Sequence, residues 1–113
     1  MDIDELLEKI SGYQPEGGSW LPLDELINVA FTDHDSVSLY AAFFKLFENH
    51  PEHDGTGVFW SAVHGMEHMG GYEKYLLEHV RKCESEMGWA MLHRLKNSGA
   101  THICDVPISE LIT

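Results

Sequence analysis

Apolar residues recur at helical spacing in almost every stretch of this chain, and each stretch is cut short by glycine or proline. Ile3, Leu6, Leu7 and Ile10 fall at i, i+3, i+4 and i+7 with acids between them, so residues 2–11 read as an amphipathic helix. The stretch from Gly12 to Ser19, with Pro15, Gly17 and Gly18, reads as a loop. Pro22 suits the first turn of a second helix carrying Leu23, Leu26, Ile27 and Ala30. A third helix begins near Asp35 or Ser36 and runs to about Glu48. Its apolar set (Leu39, Tyr40, Ala42, Phe43, Phe44, Leu46, Phe47) is wide enough for burial on more than one side.

Residues 49–55, Asn-His-Pro-Glu-His-Asp-Gly, form the clearest break. Thr56 is placed to cap a fourth helix over about 57–69, which Gly70-Gly71 ends. A fifth occupies about 72–83. Ser85 followed by Glu86 begins a sixth, and Gly99 is placed to close it at C′. Pro107, Ile108, Leu111 and Ile112 read as a short terminal helix, and no convincing strand alternation is present. The expected fold is therefore all-α, a single domain over residues 1–113. It should hold about seven short helices in antiparallel hairpins, stacked in a solenoid-like (HEAT or armadillo-like) bundle. No sequence repeat of fixed period accompanies that expectation.

Charge divides the chain unevenly. Residues 1–54 hold 12 acids and only two bases, Lys9 and Lys45, whereas residues 55–113 hold seven acids and five bases. The net charge of −12 thus falls as −10 on the first part and −2 on the second. That exceeds what solubility asks of half a small domain. It disfavours nucleic acid or an anionic membrane as a direct partner and favours a basic protein. The first residues, Met-Asp-Ile-Asp-Glu, carry acid where a signal peptide carries positive charge, and the apolar runs are too short to span a bilayer. A cytoplasmic location is expected. In that compartment Cys83 and Cys104, a pair without close spacing, are expected as free thiols.

One string matches a catalytic template. His64-Gly-Met-Glu67-His68 is an H-x-x-E-H pattern on a helix, in which two His hold zinc and the Glu acts as base. Only 45 residues follow His68 in which to build a third ligand and a cleft, and none of them shows a ligand pattern. The plainer reading makes Trp60, His64 and His68 a semi-buried stripe with His64 hydrogen-bonded between helices. His50, Glu52, His53 and Asp54 could bind a divalent metal adventitiously. Paired Glu-x-x-His motifs and a glycine-rich phosphate loop are absent, and Cys83 beside His79 lacks an orienting third group. No cofactor or metal site is expected. Arg94, on an otherwise apolar helix, is expected to pair with an acid across a hairpin.

Four blocks in the second half carry a resemblance. Val58-Phe59-Trp60, His64-Gly-Met-Glu67, Gly71-Tyr72-Glu73, and Ser85-Glu86 followed by Leu92-His93-Arg94-Leu95-Lys96-Asn97-Ser98-Gly99 occur in that order. Over about residues 57–112 the chain resembles small helical immunity proteins of contact-dependent growth inhibition and other polymorphic toxin systems. His93 stands where an Asn is expected before the Arg. The resemblance implies a protein that binds one toxin domain and blocks its active site or substrate access, and is not itself an enzyme.

Charge and resemblance agree. A toxin that attacks RNA or DNA, an RNase being expected ahead of a DNase, carries a basic phosphate-binding cleft, which an acidic inhibitor would seek in a 1:1 complex. On charge alone the contact acids would be Asp24, Glu25, Asp33, Asp35, Glu48, Glu52 and Asp54. Trp20 or Tyr13 would serve as apolar anchors, although the first reading of Trp20 is as core, alongside Trp60, Trp89 and the phenylalanines. Two other readings stand beside this one: a small zinc hydrolase built on His64, Glu67 and His68, and a helical adaptor for a basic protein.

Overall fold

The computed structural model describes residues 2–33 and 38–112. Its helices are α1 (Ile3–Ser11), α2 (Leu21–Asp33), α3 (Ser38–Asn49), α4 (Phe59–Met69), α5 (Glu73–Lys82), α6 (Glu86–Asn97) and α7 (Ile108–Ile112). The fold is essentially all-α. The periodic stripes become the buried faces: Leu6 and Ile10 of α1, Leu23, Ile27 and Ala30 of α2, and Met87, Met91 and Leu92 of α6. Asp2 caps α1 by accepting the Glu5 N–H at 2.9 Å.

The wide apolar set of α3 has a simple cause: this helix is packed by α1, α5 and α6. Leu39, Tyr40, Phe43, Leu46 and Phe47 are wholly buried. Full burial of each such side chain contributes about 1.5–3 kcal/mol. Helices α1, α3 and α5 run in the same direction. Asn49 at the end of α3 donates to the Ser11 carbonyl at the end of α1 at 2.8 Å. Tyr40 meets Tyr75, Phe44 meets His79 and Glu48 meets Lys82 in step along α3 and α5. The Tyr40 hydroxyl also donates to the Gly70 carbonyl at 2.7 Å, which ties α3 to the turn after α4. α2 packs on α4, where the Ser61 hydroxyl reaches Asp24 at 3.1 Å. These contacts establish a helical bundle gathered round α3. They do not establish the solenoid-like stack, because α6 folds back on α3 as well as on α5.

Two local expectations are corrected. Thr56 does not cap α4: it lies inside a 3-10 turn, Gly55–Gly57, at φ 51, with its hydroxyl 2.7 Å from the Gly55 carbonyl. The Asp54 carbonyl accepts both the Gly57 and Phe59 N–H groups at 3.1 Å, so backbone bonds occupy the place of a side-chain cap. Strand pairing is also present. β1 (His102–Ile103) and β2 (Val106–Pro107) form a tiny antiparallel hairpin. Its turn residues, Cys104 and Asp105, both have left-handed φ (49 and 67), as a tight hairpin turn demands. Strands two residues long leave no alternation to read.

Candidate functional site

Trp20 organises the acidic part of the molecule from inside. It is 6% exposed, with ring centroids 5.7 Å from Tyr13, 5.0 Å from His50, 6.0 Å from His53 and 5.1 Å from Phe59. The ring therefore joins the loop before α2, the loop after α3 and the start of α4. His50 Nε2 lies 2.9 Å from the Tyr13 carbonyl and donates to it, fastening two of those loops. Of the two readings open for Trp20, burial decides for the core.

The anticipated contact acids among the described residues fall into three groups. Asp24, half-buried, accepts the Ser61 hydroxyl, and Glu25 beside it is exposed. Glu52, exposed, and Asp54, half-buried, sit in the loop that packs on Trp20. These four thus come from segments that Trp20 and the Ser61–Asp24 bond draw together. Glu48 turns the other way, into a cleft between α3 and α5, where Lys82 holds it at 3.2 Å and Lys45 at 4.0 Å. Asp35 and the side chain of Asp33 lie outside the described residues. Tyr13 is half-buried, and its hydroxyl donates to the Ser19 carbonyl at 2.9 Å.

The H-x-x-E-H string takes a structural form. Arg94 clasps Glu67 through two bonds, Nε and Nη2 each at 2.8 Å, and its guanidinium lies 5.6 Å from the Trp60 ring centre. The bond to Glu67 raises the Arg94 pKa still further. Burial, with Glu67 and Glu73 nearby, pushes the Tyr72 hydroxyl up to about 12. His64 is exposed against Trp60 at 5.8 Å rather than hydrogen-bonded between helices, and His68 is exposed too. To act as a base, Glu67 would first have to leave Arg94. Among the described residues, no three His, Cys, Asp or Glu side chains gather to hold a metal ion. Arg94 thus pairs with an acid as expected, but that acid is on α4, which α5 separates from α6 in sequence, and not across a hairpin.

Two features escaped the sequence. His79 is 1% exposed, its Nε2 is 2.6 Å from Ser85 Oγ, and that oxygen accepts the Gly88 N–H at 2.9 Å. Burial lowers the His79 pKa, which keeps the ring neutral. Ser85 was legible as a cap, but nothing in the pattern pairs it with a histidine six residues earlier. The second is Leu21, 74% exposed at the start of α2. It is out of phase with the stripe of Leu23, Leu26, Ile27 and Ala30, and that offset was the available signal.

Compared with protein families, curated proteins and solved structures, the chain finds no significant match in any of them. No helix among the described residues is long and apolar enough to cross a membrane.

Proposed function

We propose that this chain is an immunity protein: it binds one basic toxin domain in a 1:1 complex and covers its active site or substrate cleft. The toxin would be a nuclease, with RNA a better candidate substrate than DNA, and the encounter would take place in the cytoplasm. The observation that carries this reading is acid left without counter-charge. Between Lys9 and Lys74 the sequence holds a single base, Lys45, and its ammonium is drawn to Glu48. Among the described residues Glu25, Glu52 and Asp54 have no ion-pair partner. A nuclease must present cations to phosphates, so such a surface would be steered to its cleft and compete for those cations. The resemblance over about residues 57–112 supports the same reading, and there the structure puts helix packing, the Arg94–Glu67 clasp and caps.

Tagged protein recovered from its native cells should carry a basic domain in equal amount. That domain, expressed alone, should arrest growth, and co-expression of this chain should relieve the arrest. A basic partner without toxicity would instead assign the chain as a helical adaptor. Recovery alone with stoichiometric zinc would favour a hydrolase at His64, Glu67 and His68.

A further inference from the structure

The residues before and at the start of α2 build an apolar seat inside the acidic region. With Trp20 pinned inward by His50 and Phe59, its neighbour Leu21 stands out at 74% exposed, next to exposed Pro22. A single exposed leucine is ordinary. Here, however, a cleft of about 280 Å³ opens alongside, walled by Tyr13, Gln14, Glu16, Ser19 and Pro22. Its walls are held in place. The Tyr13 hydroxyl binds the Ser19 carbonyl at 2.9 Å, and Glu16 pairs with Ser19 across Gly17-Gly18, whose φ values of +59 and +79 suit a tight hairpin turn. A preformed cleft spares a partner the cost of ordering it.

The surroundings are acidic: Glu16 stands in the wall, exposed Glu25 follows one helical turn after Leu21 and Pro22, and residues 10–44 contain neither Lys nor Arg. A second copy of this chain would bring −12 against −12, and nucleic acid or an anionic bilayer would be repelled likewise. We infer that the cleft and Leu21 seat a basic protein segment, with an apolar side chain entering the cleft and flanking Lys or Arg facing Glu16 and Glu25. This rests on the immunity reading and deepens it, since it locates the docking face and replaces buried Trp20 with Leu21 as the apolar contact.

The test titrates the full chain, labelled with 15N, with a short peptide carrying a Leu-Phe pair flanked by lysines. Amide shifts should concentrate between Tyr13 and Glu25. The apparent affinity should fall at least about fivefold, roughly 1 kcal/mol, in Leu21→Ser and with a Ser-Ser peptide. Leu21 is exposed, so that variant keeps the fold, which its undisturbed remaining resonances will show. Shifts spread equally over Asp4 and Glu8 and indifferent to Leu21→Ser would mark plain polyanion behaviour and overturn the inference, as would no shifts at all. Concentration-dependent shifts at the same amides without peptide would hand the cleft to a second copy and overturn it too. Because no toxin is present, peptide binding at the cleft beside failed growth rescue would sink the immunity reading alone. Growth rescue undiminished by Leu21→Ser, with no peptide binding, would sink the cleft alone.

Discussion

His79 Nε2 lies 2.6 Å from Ser85 Oγ, so a buried imidazole at the end of α5 is tied to the residue that caps α6. The same oxygen accepts the Gly88 N–H, which draws the first turn of α6 onto the ring. One polar contact thus sets how the last long hairpin closes, and two consequences can be measured.

The first concerns space. A Cβ on Gly88 would lie 2.9 Å from His79 Cδ2 and 2.9 Å from Ser85 Oγ. Helix propensity alone favours Ala over Gly by about 1 kcal/mol. Crowding a packed site costs about 1–3 kcal/mol. Gly88→Ala should therefore lower the urea midpoint with an unchanged m-value. A raised midpoint would show that the ring gives way and that propensity wins.

The second concerns pH. Burial lowers the folded pKa of His79, Lys82 adds to the lowering, and Glu48 on α3 opposes it. The unfolded chain therefore binds this proton more readily than the folded one. The stability contributed by neutral His79 is present above the unfolded value of about 6.5 and is lost as pH falls below it toward the folded value. In His79→Gln that part of the dependence should vanish, although the variant is less stable throughout. Parallel stability–pH curves for the two proteins would refute a role for His79 in the acid limb.

A third prediction separates structure from chemistry at Glu67. The clasp with Arg94 is bidentate, yet the side chains are 24% and 45% exposed. A double-mutant cycle with Glu67→Gln and Arg94→Met should give a coupling of about 0.5–1 kcal/mol, the scale of a partly solvated ion pair. On the immunity reading proposed above, protection against a toxin should survive Glu67→Gln. Loss of protection in a folded Glu67→Gln protein would return the H-x-x-E-H string to consideration as chemistry.

The sequence disclosed most where local rules act alone. Ser85 and Gly99 bracket α6 as expected: Gly99 N–H meets the Lys96 carbonyl and Ala100 N–H the Leu95 carbonyl, both at 3.1 Å, with Gly99 at φ +101. It disclosed less where tertiary contacts decide. Nothing local brings His79 to Ser85, or Phe31 against Gly65, where a Cβ would lie 2.3 Å from the ring. The acidic surface was legible from charge counts, because charged side chains rarely go inside. That Glu48 faces α5 while Glu52 stays exposed depends on helix packing, which charge counts do not carry.

Trp20 and Leu21 make the fourth prediction, a contrast between neighbours. Trp20→Ala removes a ring packed by four others and should cost about 3–5 kcal/mol, enough to unfold much of a small domain. Leu21→Ser should change stability by no more than about 0.5 kcal/mol. Thermal denaturation reads both. A large loss at Leu21 would mean that its side chain packs, leaving nothing there for a partner.

The last prediction concerns the rate of encounter. If acids without counter-charge steer this chain to a basic partner, the effect acts over distances that salt shortens, from about 30 Å at 0.01 M to about 8 Å at 0.15 M. The association rate constant with that partner, once purified, should therefore fall steeply across that range, while dissociation, governed by contacts already formed, changes little. Glu25→Gln, at an exposed site without an ion pair, should slow association and flatten the salt profile with no loss of fold. Glu48→Gln should do less, because Lys82 already answers that charge. A salt-independent association rate would remove steering from the account, and equal effects at Glu25 and Glu48 would show that net charge matters rather than its placement.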